Sequence, residues 1–373
     1  MPIELSNLTF TNQADVVPMS GVEQILNTGI ANTLAGNDTI TGIKQVGTPI
    51  ETSFFYAIFN DQGLIDTGDG NDIITGINKE VNSAFGISGY RSTINTGNGN
   101  DIITGIIEDV AGSAIQMIDS IINTGDGDDV IMGKVSFDSI NSDAITNGLD
   151  FSLVDLSQIR LVDTGNGNDT IMGIGDTGIS NFANTIKTGE GNDVITGISP
   201  NSLGVLNSGT IDTGDGNDIL TGISTSGESG IVTVSSITLG NGNDVIIGKG
   251  AIYGMFNLGT IDTGNGADSI IVEGGFGGSL DRGNVLLGNG KDYLKGFGTG
   301  NFYGGNGQDT LELTPGIYTI ERLETKVVFT QPSSRISDNG RAIMITSEFE
   351  KLIAGGTTYD FSSLTNGQTI IVA

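Results

Sequence analysis

Aspartate closes a short glycine-rich phrase that the chain repeats eleven times, and the cleanest copy reads Thr67-Gly68-Asp69-Gly70-Asn71-Asp72. Its two glycines permit backbone angles with φ > 0, which other residues resist. Such a tight loop can turn carbonyl oxygens toward one point, and the closing aspartate adds a carboxylate. These hard oxygen ligands are the ones that Ca²⁺ takes, at about 2.3–2.6 Å. The phrase therefore predicts a calcium-binding loop.

The predicted ligand set has two parts. The side-chain ligands are the closing aspartates, namely Asp38, Asp72, Asp101, Asp129, Asp169, Asp193, Asp218, Asp244, Asp268, Asp292 and Asp309. The candidate carbonyl ligands belong to the loop glycines, namely Gly68, Gly70, Gly97, Gly99, Gly125, Gly127, Gly165, Gly167, Gly189, Gly191, Gly214, Gly216, Gly240, Gly242, Gly264, Gly266, Gly288, Gly290, Gly305 and Gly307.

The spacing of the phrase predicts how the loops are arranged. From Asp169 to Asp292 the closing aspartates follow one another at steps of 24, 25, 26, 24 and 24 residues. A near-constant step returns each copy to the same corner of a solenoid. Neighbouring strands lie roughly 4.7–4.9 Å apart, about twice a Ca–O distance, so an ion fits between consecutive loops. Two residues after each aspartate an aliphatic residue starts a strand and points into a core.

Metal-free turns are the alternative interpretation, because Asp and Asn are ordinary turn residues. Unit charges about 4 Å apart repel by about 1 kcal/mol even in bulk water. A column of eleven carboxylates would weaken the fold unless cations lay between them. The electrostatics therefore favours calcium.

The loops resemble the repeats of the RTX, or haemolysin-type calcium-binding, family, whose pattern is G-G-x-G-x-D-x-U-x with U a large apolar residue. Ten of the eleven copies match positions two to eight of that nonapeptide. The first Gly of the pattern is usually Thr here, Leu239 and Leu287 are exceptions, and only Gly304-Gly305 keeps the pair. The copies also recur every 24–29 residues in most of the chain rather than every nine.

The longer step changes the expected coil. Instead of a β-roll with ions on both edges, we expect a wider coil of three short strands with ions along one corner. The last step, from Asp292 to Asp309, is 17 residues, close to two nonapeptides. The last coil should therefore narrow toward the ordinary β-roll.

Composition supports an all-β protein, since 60 of the 373 residues are Gly and only 6 are Pro. The predicted fold is a parallel β-solenoid, β-helix-like or β-roll-like, with the calcium loops stacked along one corner. We expect an N-terminal cap over residues 1–30, calcium-binding repeats over 31–311 and a C-terminal β-cap over 312–373. Long coils should place loops or extra strands on the flank near Phe54-Phe55-Tyr56 and Asn141–Gln158.

Charge and missing residue types exclude several functions. With 44 acidic against 15 basic residues and a net charge of −29, neither nucleic acid nor an anionic membrane is an expected partner. The chain lacks Cys, His and Trp, which excludes disulfides, thiolate or imidazole metal sites and His-based triads. No apolar run reaches the roughly 18 residues of a membrane helix.

These features predict a calcium-binding structural or cell-surface protein that folds on reaching extracellular calcium. A cell-surface or matrix polysaccharide is a candidate partner. Met1-Pro2-Ile3-Glu4-Leu5 has no signal-peptide pattern, so we expect export to the extracellular space or cell surface by another route. The family resemblance implies an uncleaved type I secretion signal within residues 312–373.

Two other functions remain open. Parallel β-helices include calcium-dependent polysaccharide lyases and epimerases, and Arg91 beside Tyr90, and Arg160, are the candidate residues for such an enzyme. Some RTX-like solenoids bind ice through Thr and Asn arrays. Here the fifth loop position is mostly Asn, but the third is Asp, Asn or Glu, and the Thr that opens most loops could face inward. Irregular coil lengths should also spoil a flat lattice match.

Overall fold

Three parallel β-sheets wrap around a single aliphatic core in this computed structural model. The structure describes residues 2–19, 23–45, 55–80, 84–108, 112–136, 143–147, 161–225, 228–333 and 340–373. Each full coil contributes one strand before the loop, one strand after it and one on the third side. We call the resulting sheets the entry sheet, the exit sheet and the flank sheet. Three strands per coil were predicted from the sequence.

The bounds of the strands follow the chain coil by coil. The flank sheet contains Ile3–Glu4, Ile25–Asn27, Tyr56–Asp61, Ala84–Tyr90, Gly112–Ile118, Asp143–Asn147, Thr177–Asn181, Val205–Asn207, Ser229–Thr233, Tyr253–Asn257 and Phe276–Gly278. The exit sheet contains Val16–Val17, Thr39–Lys44, Ile73–Asn78, Ile102–Ile107, Val130–Val135, Thr170–Ile174, Val194–Ser199, Ile219–Ser224, Val245–Lys249, Ser269–Glu273, Tyr293–Lys295, Thr310–Leu313, Lys351–Ala354 and Thr357–Asp360.

The entry sheet extends furthest into the C-terminal cap. It contains Ile30–Asn32, Leu64–Asp66, Thr93–Asn95, Ile121–Asn123, Leu161–Asp163, Thr185–Lys187, Thr210–Asp212, Ser236–Thr238, Thr260–Asp262, Asn284–Leu286, Gly300–Tyr303, Arg341–Ser347, Lys326–Pro332, Gly316–Leu323 and Thr369–Val372. Short strands also pair the last loops at Asn265–Gly266, Asn289–Gly290 and Asn306–Gly307. Within the described ranges the helical segments are two 3₁₀ turns, Leu5–Asn7 and Phe361–Ser363.

The aliphatic residue two places after each closing aspartate points inward, as predicted. Ile74, Ile103 and Leu220 are fully buried, and so are their counterparts in the other coils. Side chains alternate along each exit strand, so the residues on either side of these aliphatics face outward. Stacked on one another, the inward residues form one continuous core from Leu5 to Val372.

A glycine near the middle of each regular exit strand lets the flank sheet come close. A Cβ on Gly76 would lie 2.3 Å from the carbonyl oxygen of Gly86 in the flank strand. Any larger residue would push the two sheets apart at this point. The glycine that recurs in these exit strands is therefore a packing requirement, whereas the residues on either side of it face outward.

Variation in coil length leaves the exit sheet in register. The steps between consecutive aspartates are 34, 29, 28 and 40 residues over the first coils. Even so, Thr39, Ile73, Ile102, Val130 and Thr170 pair in one continuous line. The extra residues of the long coils lie outside the exit strands. That irregular coil lengths spoil a flat lattice match stays a prediction.

The two ends of the solenoid differ. The last coil passes from Tyr293–Lys295 to Gly300–Tyr303, and only an isolated bridge between Phe276 and Gly298 remains of its flank side. The coil narrows as its 17-residue step predicted. After Leu313 the chain forms antiparallel strands that continue the entry and exit sheets and cover the core. These strands include Gly316–Leu323, Lys326–Pro332, Arg341–Ser347 and Thr369–Val372.

The predicted flank extras fall partly outside the described residues. Tyr56–Asp61 and Asp143–Asn147 are ordinary flank strands. Phe54, 141–142 and 148–158 lie outside the part of the chain that the structure describes. No helix in the described ranges is long and apolar enough to cross a membrane.

Candidate metal centre

The eleven closing aspartates form one column at the corner between the entry and exit sheets. Each has at most 1% of its surface exposed. The column forms because every loop is followed at once by an exit strand, and those strands stack in register. Residues up to 40 positions apart in the chain are thus brought into contact.

One carboxylate oxygen of each aspartate holds the coils together. The backbone N–H of Asp72 donates to Oδ1 of Asp101 at 2.8 Å, and that of Asp101 donates to Oδ1 of Asp129 at 2.8 Å. The same bond recurs at 2.7–3.0 Å down to the pair Asp292 and Asp309. We call this series of bonds the aspartate ladder. It uses one of the two oxygens of each carboxylate.

Two further residues end the ladder, and the sequence analysis missed both. At the start, the N–H of Asp15 donates to Oδ1 of Asp38 at 2.7 Å. At the other end, the N–H of Asp309 donates to Oε2 of Glu350 at 2.7 Å. One sequence pattern could have identified them. An acidic residue lies two places before an aliphatic residue, as Asp15 does before Val17 and Glu350 before Leu352. Neither segment carries the loop glycines, so the motif search passed over them.

The second oxygen of the aspartates has no partner. Within the described residues, buried Oδ2 atoms without a hydrogen bond belong to Asp72, Asp101, Asp129, Asp169, Asp193, Asp218, Asp244, Asp268, Asp292 and Asp309. In Asp38, Oδ2 instead contacts the Thr33 hydroxyl. Burying a polar oxygen without a partner is costly, more so when it is charged. Ten such atoms in one line indicate a missing positive partner.

Burial also shifts the acidity of the column. It raises the pKa of Asp129, Asp169, Asp244 and Asp292 to about 7. The pKa values of Asp101 and Asp218 rise to about 6 for the same reason. Burial raises the pKa values of Asp72, Asp193, Asp268 and Asp309 as well. Repulsion between neighbouring aspartates acts in the same direction. Ionisation of the column is therefore unfavourable when no cation is bound.

The threonines that open most loops face inward beside this column. Thr67, Thr96 and their counterparts are fully buried. The Thr67 hydroxyl lies 3.3 Å from the Thr96 carbonyl oxygen of the next coil, and it also acts to lower the pKa of Asp72. One hydroxyl proton cannot serve both acceptors. Hydroxyl, carbonyl and carboxylate oxygens therefore lie close together at the coils whose loops open with Thr, whereas Leu239, Leu287 and Gly304 supply no hydroxyl at the other three.

The loop glycines carry their carbonyls into the gaps between loops. A Cβ on Gly97 would lie 1.9 Å from the carbonyl oxygen of Gly68, and one on Gly99 1.7 Å from that of Gly70. The same close approach recurs through Gly307. The carbonyls of the loop glycines therefore point toward the next loop, and some of them accept its backbone N–H, as Gly189 does from Asp215 at 3.1 Å. Which of them bind an ion stays a prediction.

The first loop lacks one of these glycines. Leu34 occupies the place that Gly68 holds in the next coil, and its φ is +76°. This left-handed conformation is unfavourable for a residue with a Cβ. The degenerate first copy therefore adopts the loop shape under strain.

Outward loop side chains form amide ladders on the surface of the corner. Asn192 Nδ2 donates to Asn168 Oδ1 at 3.0 Å, and Asn217 Nδ2 donates to Asn192 Oδ1 at 2.8 Å. At the third loop position, Asn241 Nδ2 donates to Asp215 Oδ1 at 2.7 Å. An Asp can only accept, so it can begin such a ladder but cannot continue one.

The residues of the column fit a hard divalent cation. Ten of its buried carboxylate oxygens accept no hydrogen bond, and a bound cation would favour their ionised form. Among the described residues, no group of three or more Asp, Glu, Cys or His could hold a metal by itself. An ion here would take most of its ligands from carbonyls and hydroxyls, as Ca²⁺ does in flexible oxygen sites.

Of the two arginines proposed for an enzyme, Arg91 lies within the described residues. Arg91 lies over the Tyr90 ring at 5.1 Å, and its Nε is 3.9 Å from Oδ2 of Asp119. Arg160 lies outside the described residues.

Comparison with known proteins gives one similarity of note. No protein-family model matches the chain, and no curated protein does. Among solved structures, the chain is similar to a hyperactive, Ca²⁺-dependent, β-helical antifreeze protein from an Antarctic bacterium. The identity is 17% and the TM-score 0.35, over 95% of this chain and 96% of that one.

Proposed function

We propose that this chain is a secreted calcium-binding structural or cell-surface protein whose loops bind Ca²⁺ and couple folding to extracellular calcium. The observation that carries the proposal is the line of ten buried Asp Oδ2 atoms without hydrogen bonds. Each would bind a cation at the corner where carbonyl and hydroxyl oxygens are also available. A bound Ca²⁺ supplies the positive charge that offsets the buried carboxylates.

Calcium would couple to folding because the column exists only in the folded chain. The ladder joins residues 17–41 positions apart, so an unfolded chain offers no such arrangement. A ligand that binds only the folded state stabilises it by mass action. Weak extracellular modules bind Ca²⁺ with Kd of about 10⁻⁴–10⁻³ M, which suits a protein that stays loose inside the cell.

The test is circular dichroism of the full chain at neutral pH in EGTA and then in excess Ca²⁺. We expect largely disordered protein that gains β-structure with Ca²⁺. Mg²⁺ is the matched control and should have little effect, because it demands small octahedral geometry and keeps its waters. An identical, fully folded spectrum in EGTA would contradict calcium-driven folding.

The proposed location follows from this behaviour. A protein that needs millimolar calcium to fold would function outside the cell or on its surface. A cell-surface or matrix polysaccharide stays the candidate partner. Assaying release of product from acidic polysaccharides tests the enzyme alternative. We expect none, and release that vanishes in Arg91→Ala or Arg160→Ala would promote that alternative.

Ice binding stays the second alternative. Two observations argue against ice binding through the loops. The threonines that open the loops are buried, and many loop asparagines hydrogen-bond to one another along the stack. For it, the solenoid offers long regular arrays. A measurement of thermal hysteresis with calcium present separates ice binding from the other functions.

A further inference from the structure

The outer face of the exit sheet is a surface of regular register, distinct from the aspartate column. We call it the exit face and define it by the outward residues of nine consecutive exit strands, from Thr39–Lys44 to Ser269–Glu273. Three columns run along it. They consist of Thr39, Ile73, Ile102, Val130, Thr170, Val194, Ile219, Val245 and Ser269; Thr41, Thr75, Thr104, Met132, Met172, Thr196, Thr221, Ile247 and Ile271; and Ile43, Ile77, Ile106, Lys134, Ile174, Ile198, Ile223, Lys249 and Glu273.

The exit face is nearly free of charge on a chain whose net charge is −29. Its charged residues are Lys134, Lys249 and Glu273, and the last two pair at 2.9 Å. Beyond this face, Lys295 and Glu312 form another ion pair at 2.9 Å. Aliphatic and Thr side chains supply nearly everything else, and Ile73, Ile102 and Ile219 are 38–39% exposed. A continuous apolar patch of this kind marks an interaction site.

We propose that the exit face is where a second copy of this chain docks, sheet against sheet. Two strongly acidic chains repel each other over most of their surfaces. The exit face carries few charges, so two copies can approach there with little repulsion between carboxylates. A two-fold interface brings the same patch of both copies together, and a nearly uncharged patch meets that requirement. Two sheets packed face to face lie about 10 Å apart with side chains interdigitating.

The size of the face is sufficient for a weak specific dimer. Nine strands at roughly 4.8 Å span about 40 Å, and the five-residue strand length spans about 15 Å. Each copy would bury roughly 600 Å², or about 1,200 Å² in total, which is the lower limit for specific interfaces. We therefore expect dissociation in the micromolar range.

The test is analytical ultracentrifugation of the full chain in excess Ca²⁺ at about 1–100 μM, with circular dichroism confirming the fold of every sample. Wild type should dimerise, and more tightly at 500 mM than at 50 mM NaCl, because salt screens the repulsion between acidic chains. Thr221→Glu, in the middle column and on the seventh of the nine strands, should raise the dimer Kd at least tenfold. Thr221→Val keeps the face neutral and should dimerise like wild type.

Thr210→Glu is the matched control, since it places the same charge on the outward side of the entry strand of that coil. It should leave the dimer unchanged. A folded chain that is monomeric at 100 μM would overturn the proposal, as would a dimer that Thr221→Glu does not weaken. A monomer whose thermal hysteresis is lost in Thr221→Glu would assign the face to ice instead. Failure of calcium-driven folding would be visible separately in the circular dichroism.

Discussion

At the residue scale, we propose that ten of the eleven closing aspartates perform two tasks with their two oxygens. Oδ1 accepts the N–H of the preceding coil, and Oδ2, which accepts no hydrogen bond, would bind a cation. The motif predicted the aspartates and their column. It could not predict the different contacts of the two oxygens, because the N–H that each carboxylate accepts comes from another coil.

An asparagine at one such position should separate the two tasks. In Asp218→Asn, the amide oxygen can still accept the N–H of Asp193, while the charge and the free oxygen are lost. We expect weaker calcium binding, with a higher midpoint in a calcium titration of folding, but a metal-free state more stable than wild type. Asp212→Asn, outside the loop in the same coil, is the control with the same charge change. If both variants behave alike, net charge rather than ligation is responsible.

Strain at Leu34 gives a second prediction. Leu34→Gly should relieve the left-handed backbone of the first loop, stabilising the calcium-loaded protein by at most about 1 kcal/mol. Leu34 is 44% exposed, so the loss of its remaining burial offsets part of this gain. Urea unfolding in excess Ca²⁺ measures the change. Gly68→Leu makes the reverse substitution one coil later and should destabilise the protein, and an unchanged or lower stability in Leu34→Gly would contradict the strain.

The effect of lowering the pH should be opposite in metal-stripped and in calcium-loaded protein. The folded-state pKa values of Asp129, Asp169, Asp244 and Asp292 lie near 7, above the ordinary value of about 3.9 in an unfolded chain. Raised pKa values stabilise the fold at low pH, and that stability is lost as pH rises toward 7. Metal-stripped protein should therefore have more β-structure at pH 5 than at pH 8, as circular dichroism can show. With Ca²⁺ present, affinity should instead fall as pH falls, because protons compete for the ligands.

At the element scale, strand order and the inward aliphatics were predictable because they follow from local periods in the sequence. The two ends of the aspartate ladder could not be predicted from such periods. Ser347 accepts the N–H of Gly304 through its carbonyl, and Lys351 pairs with Thr310, so the segment from Ser347 to Lys351 stacks like a shortened twelfth loop. Glu350 then takes the place of the next closing aspartate.

This role of Glu350 can be tested at the last coil. Glu350→Ala leaves the buried N–H of Asp309 without its acceptor, which costs about 1–3 kcal/mol. Glu350→Gln retains an acceptor oxygen and should cost clearly less. Hydrogen exchange in excess Ca²⁺ should locate the loss of protection at Thr310–Leu313. Glu348→Ala is the neighbouring control, and an equal effect from it would argue for general charge rather than the ladder.

At the scale of the whole molecule, the C-terminal cap combines two proposed roles. Its antiparallel strands cover the end of the core, and the sequence analysis places a secretion signal in the same residues. Deleting residues 313–373 should leave the protein inside its producing cell, while the purified fragment still binds Ca²⁺ through its loops. Its exposed strand edges would favour aggregation. Immunoblots of cells and medium give the readout.

Deleting residues 2–19 is the matched control, since it removes the other cap but not the proposed signal. It should leave export intact. Normal secretion of the C-terminally truncated chain would refute a signal there. Loss of both export and calcium binding would instead make the tail chiefly a folding cap.

By itself, the sequence determined the solenoid, its three strands per coil and the single corner at which the loops meet. These follow from local information, because the loop phrase, the alternation of strand residues and the step between copies can all be read along the chain. Only the tertiary structure decided which partner each polar group finds. Hydrogen bonds between coils join residues 17–41 positions apart, and only stacking brings them within reach. The inward threonines, the ladder ends at Asp15 and Glu350, and the unbroken exit face all depend on that stacking.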